Sequence, residues 1–223
     1  MNQTPQFSNF KMIRALGGVG ILCGLLIVFT YQQTLPIIKK KKAIALENAI
    51  YKVLSGSTSR VTFQVMDNGD FKKIDGDGEG AKRVFAGLND QGELVGFAIE
   101  AHGNGFQDVI KMLYGYDPAK QAIVGFHVLE SKETPGLGDK IEKNEPFLAN
   151  FKALDVSLAS SGKELQNPIE LVKSGKKTNP WQIDAITGAT ISSKAVSQIL
   201  GKSAADWVPE LQAHLETVKD QVQ

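Results

Sequence analysis

The chain has 223 residues, of which 42% are hydrophobic and 22% charged, a balance typical of a folded domain rather than a disordered chain. The formal net charge is +1, but six of the 25 basic residues precede Ala43 and no acidic residue precedes Glu47. That leaves 19 basic and 24 acidic residues from Ala43 onward, and this net charge of −5 argues against nucleic acid as a partner. The single cysteine, Cys23, excludes an internal disulfide, an all-cysteine iron–sulfur cluster and a cysteine-rich zinc site.

The first predicted element is a membrane-spanning helix over Ala15–Ile38, a run of 24 residues without a charged side chain. About 20 helical residues are enough to cross a hydrocarbon core of roughly 30 Å. Gly20 and Gly24 lie four residues apart. This spacing either favours close approach of another helix or simply follows the high glycine content of membrane helices.

A cleaved signal peptide is the alternative interpretation of this apolar run. The small-x-small sequence Ala43–Ala45 lies beyond Lys39–Lys42 and well past the apolar residues, so we predict an uncleaved anchor. Periodic apolar residues over Ala43–Leu54 predict a helix that leads away from the membrane and ends at Ser55–Ser57. The predicted divisions are a short segment 1–14, a transmembrane helix 15–38, a stalk helix 39–57, a domain 58–208 and a C-terminal helix or tail 209–223.

The domain begins with short apolar segments that alternate with turn residues, which is the pattern of successive strands. No long helical pattern separates these segments, so we expect a twisted antiparallel sheet flanked by helices, in the α+β class. The predicted strands are Val61–Val65, Val84–Leu88, Leu94–Ala101, Val109–Tyr116 and Ala122–Leu129.

The first two of these strands are separated by a polar segment, Asp67–Arg83, with an Asp- and Gly-rich centre at Asp75–Gly80. A calcium-binding loop is one interpretation, but the glutamate and flanking helices of an EF-hand are missing, which favours a solvated hairpin loop. The three histidines, His102, His127 and His214, lack the spacing of metal ligands.

The last predicted strand leads into Glu133-Thr134-Pro135-Gly136-Leu137-Gly138. Pro135 fixes its own φ, and the two glycines permit backbone geometries closed to other residues. Such a loop has little side-chain bulk, so its backbone can approach the edge of a planar ring. Leu137 could cover a ring face, while Glu133 or Thr134 could hydrogen-bond the polar rim. A tight structural turn is the alternative.

Beyond this loop, Asp139–Leu154 is predicted to be mostly helical with a break at Asn144–Pro146. A polar connection follows over Ser157–Pro180, and its one apolar stretch, Ile169–Val172, is predicted to form an edge strand.

The stretch Asp184–Ser193 is small, hydroxyl-rich and followed by a helical pattern that includes Ala195, Val196, Ile199 and Leu200. It therefore predicts a turn that feeds a helix start, with Ser192 or Ser193 as N-cap. Backbone N–H groups and the positive end of the helix dipole would meet there, which suits a phosphate group. The helix is predicted to continue past Gly201 and to be interrupted near Pro209.

The sequence Asp184-Ala-Ile-Thr187-Gly188-Ala189-Thr190 resembles the flavinylation motif of FMN-binding domains in bacterial respiratory complexes. The loop 133–138 is similar to a second signature of the family, and Gly103–Phe106 is similar in position to a glycine-rich turn. The family includes the C subunit of sodium-translocating NADH:quinone reductase and the G subunit of the Rnf-type electron transport complex. The chain length is closer to that of the G subunit.

The resemblance implies FMN held through its phosphate by an ester to Thr190. It also implies that Asp184, Thr187, Gly188, Ala189 and Thr190 are recognised by a flavin transferase. The expected partners are the other subunits of a membrane complex that couples ferredoxin–NAD electron transfer to ion movement, together with membrane lipid.

The orientation of the anchor is a point of conflict between two arguments. Lys39–Lys42 and the positive-inside rule together put the body in the cytoplasm. The resemblance puts the body on the outer face of the bacterial inner membrane, where flavin transferase acts, and we adopt this orientation as the expectation. A stand-alone flavoprotein carrier, a quinone-reductase C subunit and a non-redox binding module remain alternatives.

Overall fold

The computed structural model describes residues 9–66, 69–76, 78 and 82–222. Contacts divide the chain into two units, Met1–Ile44 and Ala45–Gln223. Helix α1 spans Asn9–Val53, and the predicted division into a membrane helix 15–38 and a stalk helix 39–57 stays a prediction. Among the described residues, one helix is long and apolar enough to cross a membrane: an 18-residue window within Phe10–Val53 has a mean hydropathy of 2.2 and no buried residue.

The second unit is built on a sheet of seven antiparallel strands in the described part of the chain, ordered β2-β1-β3-β4-β5-β6-β7. The predicted α+β class and antiparallel sheet are confirmed. The strands are β1 Ser59–Val65, β2 Phe71–Ile74, β3 Arg83–Leu88, β4 Leu94–Asn104, β5 Val109–Asp117, β6 Ala122–Glu130 and β7 Leu154–Asp155. A separate pair, β8 Glu170–Val172 and β9 Gln182–Asp184, is parallel and confirms the strand predicted at 169–172.

Both faces of this sheet are covered, so its central strands are buried on both sides. On one face Phe85, Ala98 and Leu113 pack against the end of α1, where Ile50 and Leu54 are fully buried. The segment predicted as a stalk therefore contributes to the core of the domain. The other face meets α3, Thr190–Ala213, together with the segments that follow β6.

Two paired glycines let the end of α1 lie directly on the sheet. Gly115 of β5 is opposite Gly125 of β6. A Cβ at Gly125 would lie 2.6 Å from the Cα of Val53, and one at Gly115 would lie 2.9 Å from the Val53 carbonyl carbon. Any side chain at either position would push the helix away from the sheet.

Two segments differ from their predicted structure. Strand β2 falls inside the segment predicted as polar loop, because Phe71 is buried and pairs with Val65. Strand β4 extends to Asn104, so the turn before β5 is shorter than predicted. Residues 67, 68, 77 and 79–81 of the polar segment 67–83, predicted as a calcium or hairpin loop, lie outside the described part of the chain.

The region predicted to be mostly helical consists of short pieces. It comprises a 3-10 helix over Gly138–Glu142, α2 over Glu145–Ala149 with Asn144 as its N-cap, and a second 3-10 turn over Asn150–Lys152. The predicted break at 144–146 is thus the start of α2.

The predicted interruption near Pro209 is wrong, since α3 continues through it to Ala213 and the break comes at His214, before α4 Leu215–Val222. Burial of Trp207, Val208 and Leu211 on the sheet holds the helix together across the proline, which removes one backbone hydrogen bond.

Candidate functional site

The loop after β6 is a tight turn. The Leu137 N–H donates to the Thr134 carbonyl at 3.1 Å, and the Asp139 N–H donates to the same oxygen at 3.4 Å. Gly136, the third residue of the turn, has φ +78°. Pro followed by a residue with positive φ is the sequence of a type II turn, which accounts for the Pro135-Gly136 pair.

The stretch that leads into α3 forms a second turn with the same backbone pattern. The Ala189 N–H donates to the Ile186 carbonyl at 3.0 Å, and Gly188, at the third position, has φ +82°. Thr190 is the first residue of α3, with an exposed side chain. Thr187 and Gly188 are also exposed, whereas Ala189 is buried.

Asp184, at the end of β9, fixes the chain that precedes this second turn. Its Oδ1 accepts the backbone N–H groups of Lys176 and Lys177, each at 3.0 Å, and its own N–H donates to Asn150 Oδ1 at 3.1 Å. The aspartate therefore has a structural part in holding the turn.

The fold brings the two turns together, as they must be if both bind one ligand. They line a single cleft of about 330 Å³, although some fifty residues separate them in the chain. The lining residues are Phe106, Glu133, Thr134, Leu137, Gly138, Gly188, Ala189, Thr190, Ile191 and Ser192. Two other residues predicted to bind the cofactor, Gly136 and Thr187, belong to the two turns but do not line the cleft. Asp184 also lies outside the cleft.

The rim of the cleft is apolar and open to solvent. Phe106, Leu137 and Ile191 are 60%, 53% and 59% exposed. Among the described residues from Ala45 onward, the only other large hydrophobic side chain that is exposed is that of Met66. An exposed apolar patch marks a binding surface, and this one suits a planar ring. The sequence pointed to Phe106 only as part of the glycine-rich turn 103–106 and gave no indication of Ile191, because single apolar residues beside turns carry no periodic signal.

The floor of the cleft suits an anion. Ala189, the N-cap of α3, supplies no side-chain hydrogen bond, and the first N–H groups of a helix lack partners within the helix. The Lys140 Nζ lies 3.8 Å from where a Cβ on Gly188 would stand. A helix start at Thr190 and an ammonium group near Gly188, two residues before it, are elements that would stabilise a phosphate ester at this threonine.

The predicted N-cap roles of Ser192 and Ser193 are wrong, because α3 begins two residues before Ser192. The Ser193 hydroxyl donates to the Ala189 carbonyl at 2.9 Å and accepts the Ile186 N–H at 3.1 Å, which ties the turn to the helix. The Ser192 hydroxyl instead donates to the buried carboxylate of Glu133.

A second cleft, of about 490 Å³, lies between β4 and α3. It is lined by polar groups that include His102, Lys202 and Asp206, and it contains neither of the two turns. It is larger than the first cleft, so volume alone does not identify the site.

The chain is similar to a known protein family. Residues 105–205 match the family model described as an FMN-binding domain. The G subunit of the ion-translocating oxidoreductase complex of Methanosarcina acetivorans is 31% identical over 198 residues, or 89% of this chain and 93% of that protein. The G subunit of the proton-translocating ferredoxin:NAD(+) oxidoreductase complex of Clostridium ljungdahlii is 26% identical over 86% of this chain and 88% of that protein.

Two crystal structures share the fold. NqrC of Shewanella oneidensis has a TM-score of 0.60 at 19% identity, over 81% of this chain and 99% of that one. The C subunit of the Na(+)-translocating NADH-quinone reductase of Parabacteroides distasonis has a TM-score of 0.59 at 26% identity, over 77% and 94%. Identity and coverage with the Methanosarcina protein place the relationship beyond fold alone, and the chain belongs to the family of G subunits of ion-translocating oxidoreductase complexes.

Proposed function

We propose that the chain carries FMN bound covalently through its phosphate to the Thr190 hydroxyl, and that it relays electrons within a membrane complex. The observation that carries this proposal is the single cleft that joins an exposed threonine hydroxyl at a helix start to an open apolar rim. In forming the ester, the threonine oxygen bonds to phosphorus and loses its proton, while the phosphoanhydride bond of a dinucleotide flavin donor breaks and a nucleoside monophosphate leaves.

Each part of the cleft has a role toward the flavin. The helix start and the Lys140 ammonium balance the negative phosphate. Phe106, Leu137 and Ile191 provide apolar contact for the ring, and Thr134 can hydrogen-bond its polar edge. When bound, the flavin supplies the redox chemistry, while the protein supplies attachment, orientation and electrostatics. An open rim leaves one edge of the ring accessible to electron donors and acceptors in neighbouring subunits.

The names of the relatives support a wider proposal about the complex to which the chain belongs. Two of them are named as subunits of ferredoxin:NAD(+) oxidoreductase complexes that translocate protons or sodium ions. We place the chain in a complex of this kind, anchored in the bacterial inner membrane by α1 and modified by a flavin transferase. The domain then faces the extracytoplasmic side, where that transferase acts.

The intact mass of the full-length chain tests the proposal. Co-production with a flavin transferase should raise the mass by one FMN less one water, and production without it should give the unmodified mass. Reversible bleaching of the flavin absorbance on reduction should follow in the modified protein. An unmodified mass beside an active transferase would contradict the proposal and would favour the non-redox binding module.

A further inference from the structure

We propose that Glu133 is a positioning residue that holds the three apolar rim residues in one arrangement and places a fixed negative charge on the wall of the proposed flavin cleft; this rests on the proposed function. Glu133 is only 5% exposed, although its side chain is a carboxylate. Its Oε1 accepts the N–H groups of Phe106 and Gln107 at 2.8 and 3.0 Å, and its Oε2 accepts the Ser192 hydroxyl.

These hydrogen bonds join three segments that are far apart in the chain. They are the turn between β4 and β5, the loop after β6 and the first turn of α3. Each segment supplies one rim residue. Phe106 itself donates to the carboxylate, Ile191 precedes Ser192, and Leu137 lies in the same loop as Glu133. One side chain thus links the three segments that carry the rim.

Two glycines leave room for this carboxylate. A Cβ at Gly105 would lie less than 3 Å from Glu133 Oε1, and a Cβ at Gly138 would lie less than 3 Å from Oε2. Neither glycine has a positive φ, so glycine is favoured here by lack of space, set by the carboxylate together with Ile110 at Gly105 and Ser192 at Gly138, and not by backbone conformation.

The charge on this group has a consequence for the flavin. All three contacts are donors, which is the pattern that an ionised carboxylate accepts. No ion pair to Glu133 occurs within the described part of the chain. A buried negative charge on the cleft wall disfavours the addition of electrons to a nearby ring, so it lowers the potential of the flavin.

Three variants of the full-length chain in detergent separate position from charge. Glu133→Gln keeps an acceptor for the two backbone N–H groups and removes the charge, whereas Glu133→Ala removes both. Ser192→Ala removes one donor and serves if Glu133→Ala does not fold. Glu130→Gln is the matched control, since this carboxylate lies on the surface at the end of β6, paired with Lys111.

Hydrogen exchange in the flavin-free chain is the first measurement. Glu133→Ala should increase the exchange rate at least tenfold, both at 105–107 and in the first turn of α3. Ser192→Ala should increase it in α3 only. Glu133→Gln should exchange at a rate near that of the wild type. Wild-type exchange at 105–107 in folded Glu133→Ala would overturn the proposal. Because no flavin is needed, this result stands even if the wild-type chain is never flavinylated, which would refute the proposed function alone.

The flavin potential is the second measurement. Glu133→Gln should keep the attachment yield and shift the oxidised–reduced equilibrium at least tenfold toward the reduced form, about 30 mV for a two-electron couple. Glu130→Gln should leave the potential unchanged, because solvent screens that charge. An unchanged potential in Glu133→Gln would remove the electrostatic half of the proposal.

Discussion

The two turns that line the cleft share one backbone design and differ in the side chains that they expose. Each closes with a hydrogen bond of about 3 Å and has glycine with positive φ at its third position. The turn at 134–137 follows the buried Glu133 carboxylate and exposes apolar residues, whereas the turn at 186–189 exposes Thr187 and Gly188 and is followed by the exposed Thr190. The turn at 134–137 supports the cleft, and the turn at 186–189 leads to the proposed attachment site at Thr190. Substitutions in the two turns should therefore have different effects.

The largest expected effect is on flavin attachment at Thr190. Thr190→Val is nearly isosteric and removes only the hydroxyl that would carry the phosphate ester, so covalent flavin should be lost while the fold persists. Thr187→Val is the matched control, an exposed threonine in the same turn, and it should reduce modification without abolishing it. In-gel flavin fluorescence reports both variants. Undiminished fluorescence in Thr190→Val would move the attachment site elsewhere.

The next effect is on the stability of the loop 133–138. A Cβ at Gly138 would meet the Ser192 hydroxyl at 2.7 Å as well as the Glu133 carboxylate, so Gly138→Ala should cost about 2 kcal/mol. Gly136 has φ +78° but open space around it, so Gly136→Ala should cost only the backbone strain, about 1 kcal/mol. Thermal unfolding of the flavin-free chain compares them. Equal losses would show that the carboxylate does not restrict position 138.

A smaller effect is expected from the rim. Leu137 is 53% exposed, so the cost of roughly 2 kcal/mol that a buried leucine would give does not apply, and Leu137→Ala should change stability by less than about 1 kcal/mol. Attachment should persist, while the flavin spectrum and potential shift because water reaches one ring face. Met66→Ala, another exposed apolar residue that does not line the cleft, should change neither. A spectrum and potential unchanged in Leu137→Ala would place the ring elsewhere.

The smallest effect is electrostatic. Lys140→Gln removes the ammonium group beside Gly188, so it should slow flavin attachment a few-fold at low ionic strength. Added salt should shrink the difference, since the site is open to solvent. Lys163→Gln, an exposed lysine in the connection after β7, is the control. A rate equal to that of the wild type at low salt would exclude Lys140 from phosphate binding.

The sequence predicted those parts of the structure that depend on local pattern. Alternation identified the five central strands, and Pro-Gly and Thr-Gly marked both turns of the cleft. Strand β2 was missed because four residues with only Phe71 buried give no periodicity. The roles of Glu133 and of Gly115 with Gly125 depend on contacts between distant segments, which the spacing of residues along the chain does not encode.

Protection from hydrogen exchange, measured on the full-length chain with and without covalent flavin, tests the central claim most directly. If the ring lies between the two turns, flavin should slow exchange together at 104–107, 134–139 and 187–192, and leave the β4–α3 cleft around 198–207 unchanged. Protection confined to 187–192 would show that the flavin is attached but that its ring does not contact the turn at 134–137. Protection around 198–207 instead would place the ring in the larger cleft and contradict the account.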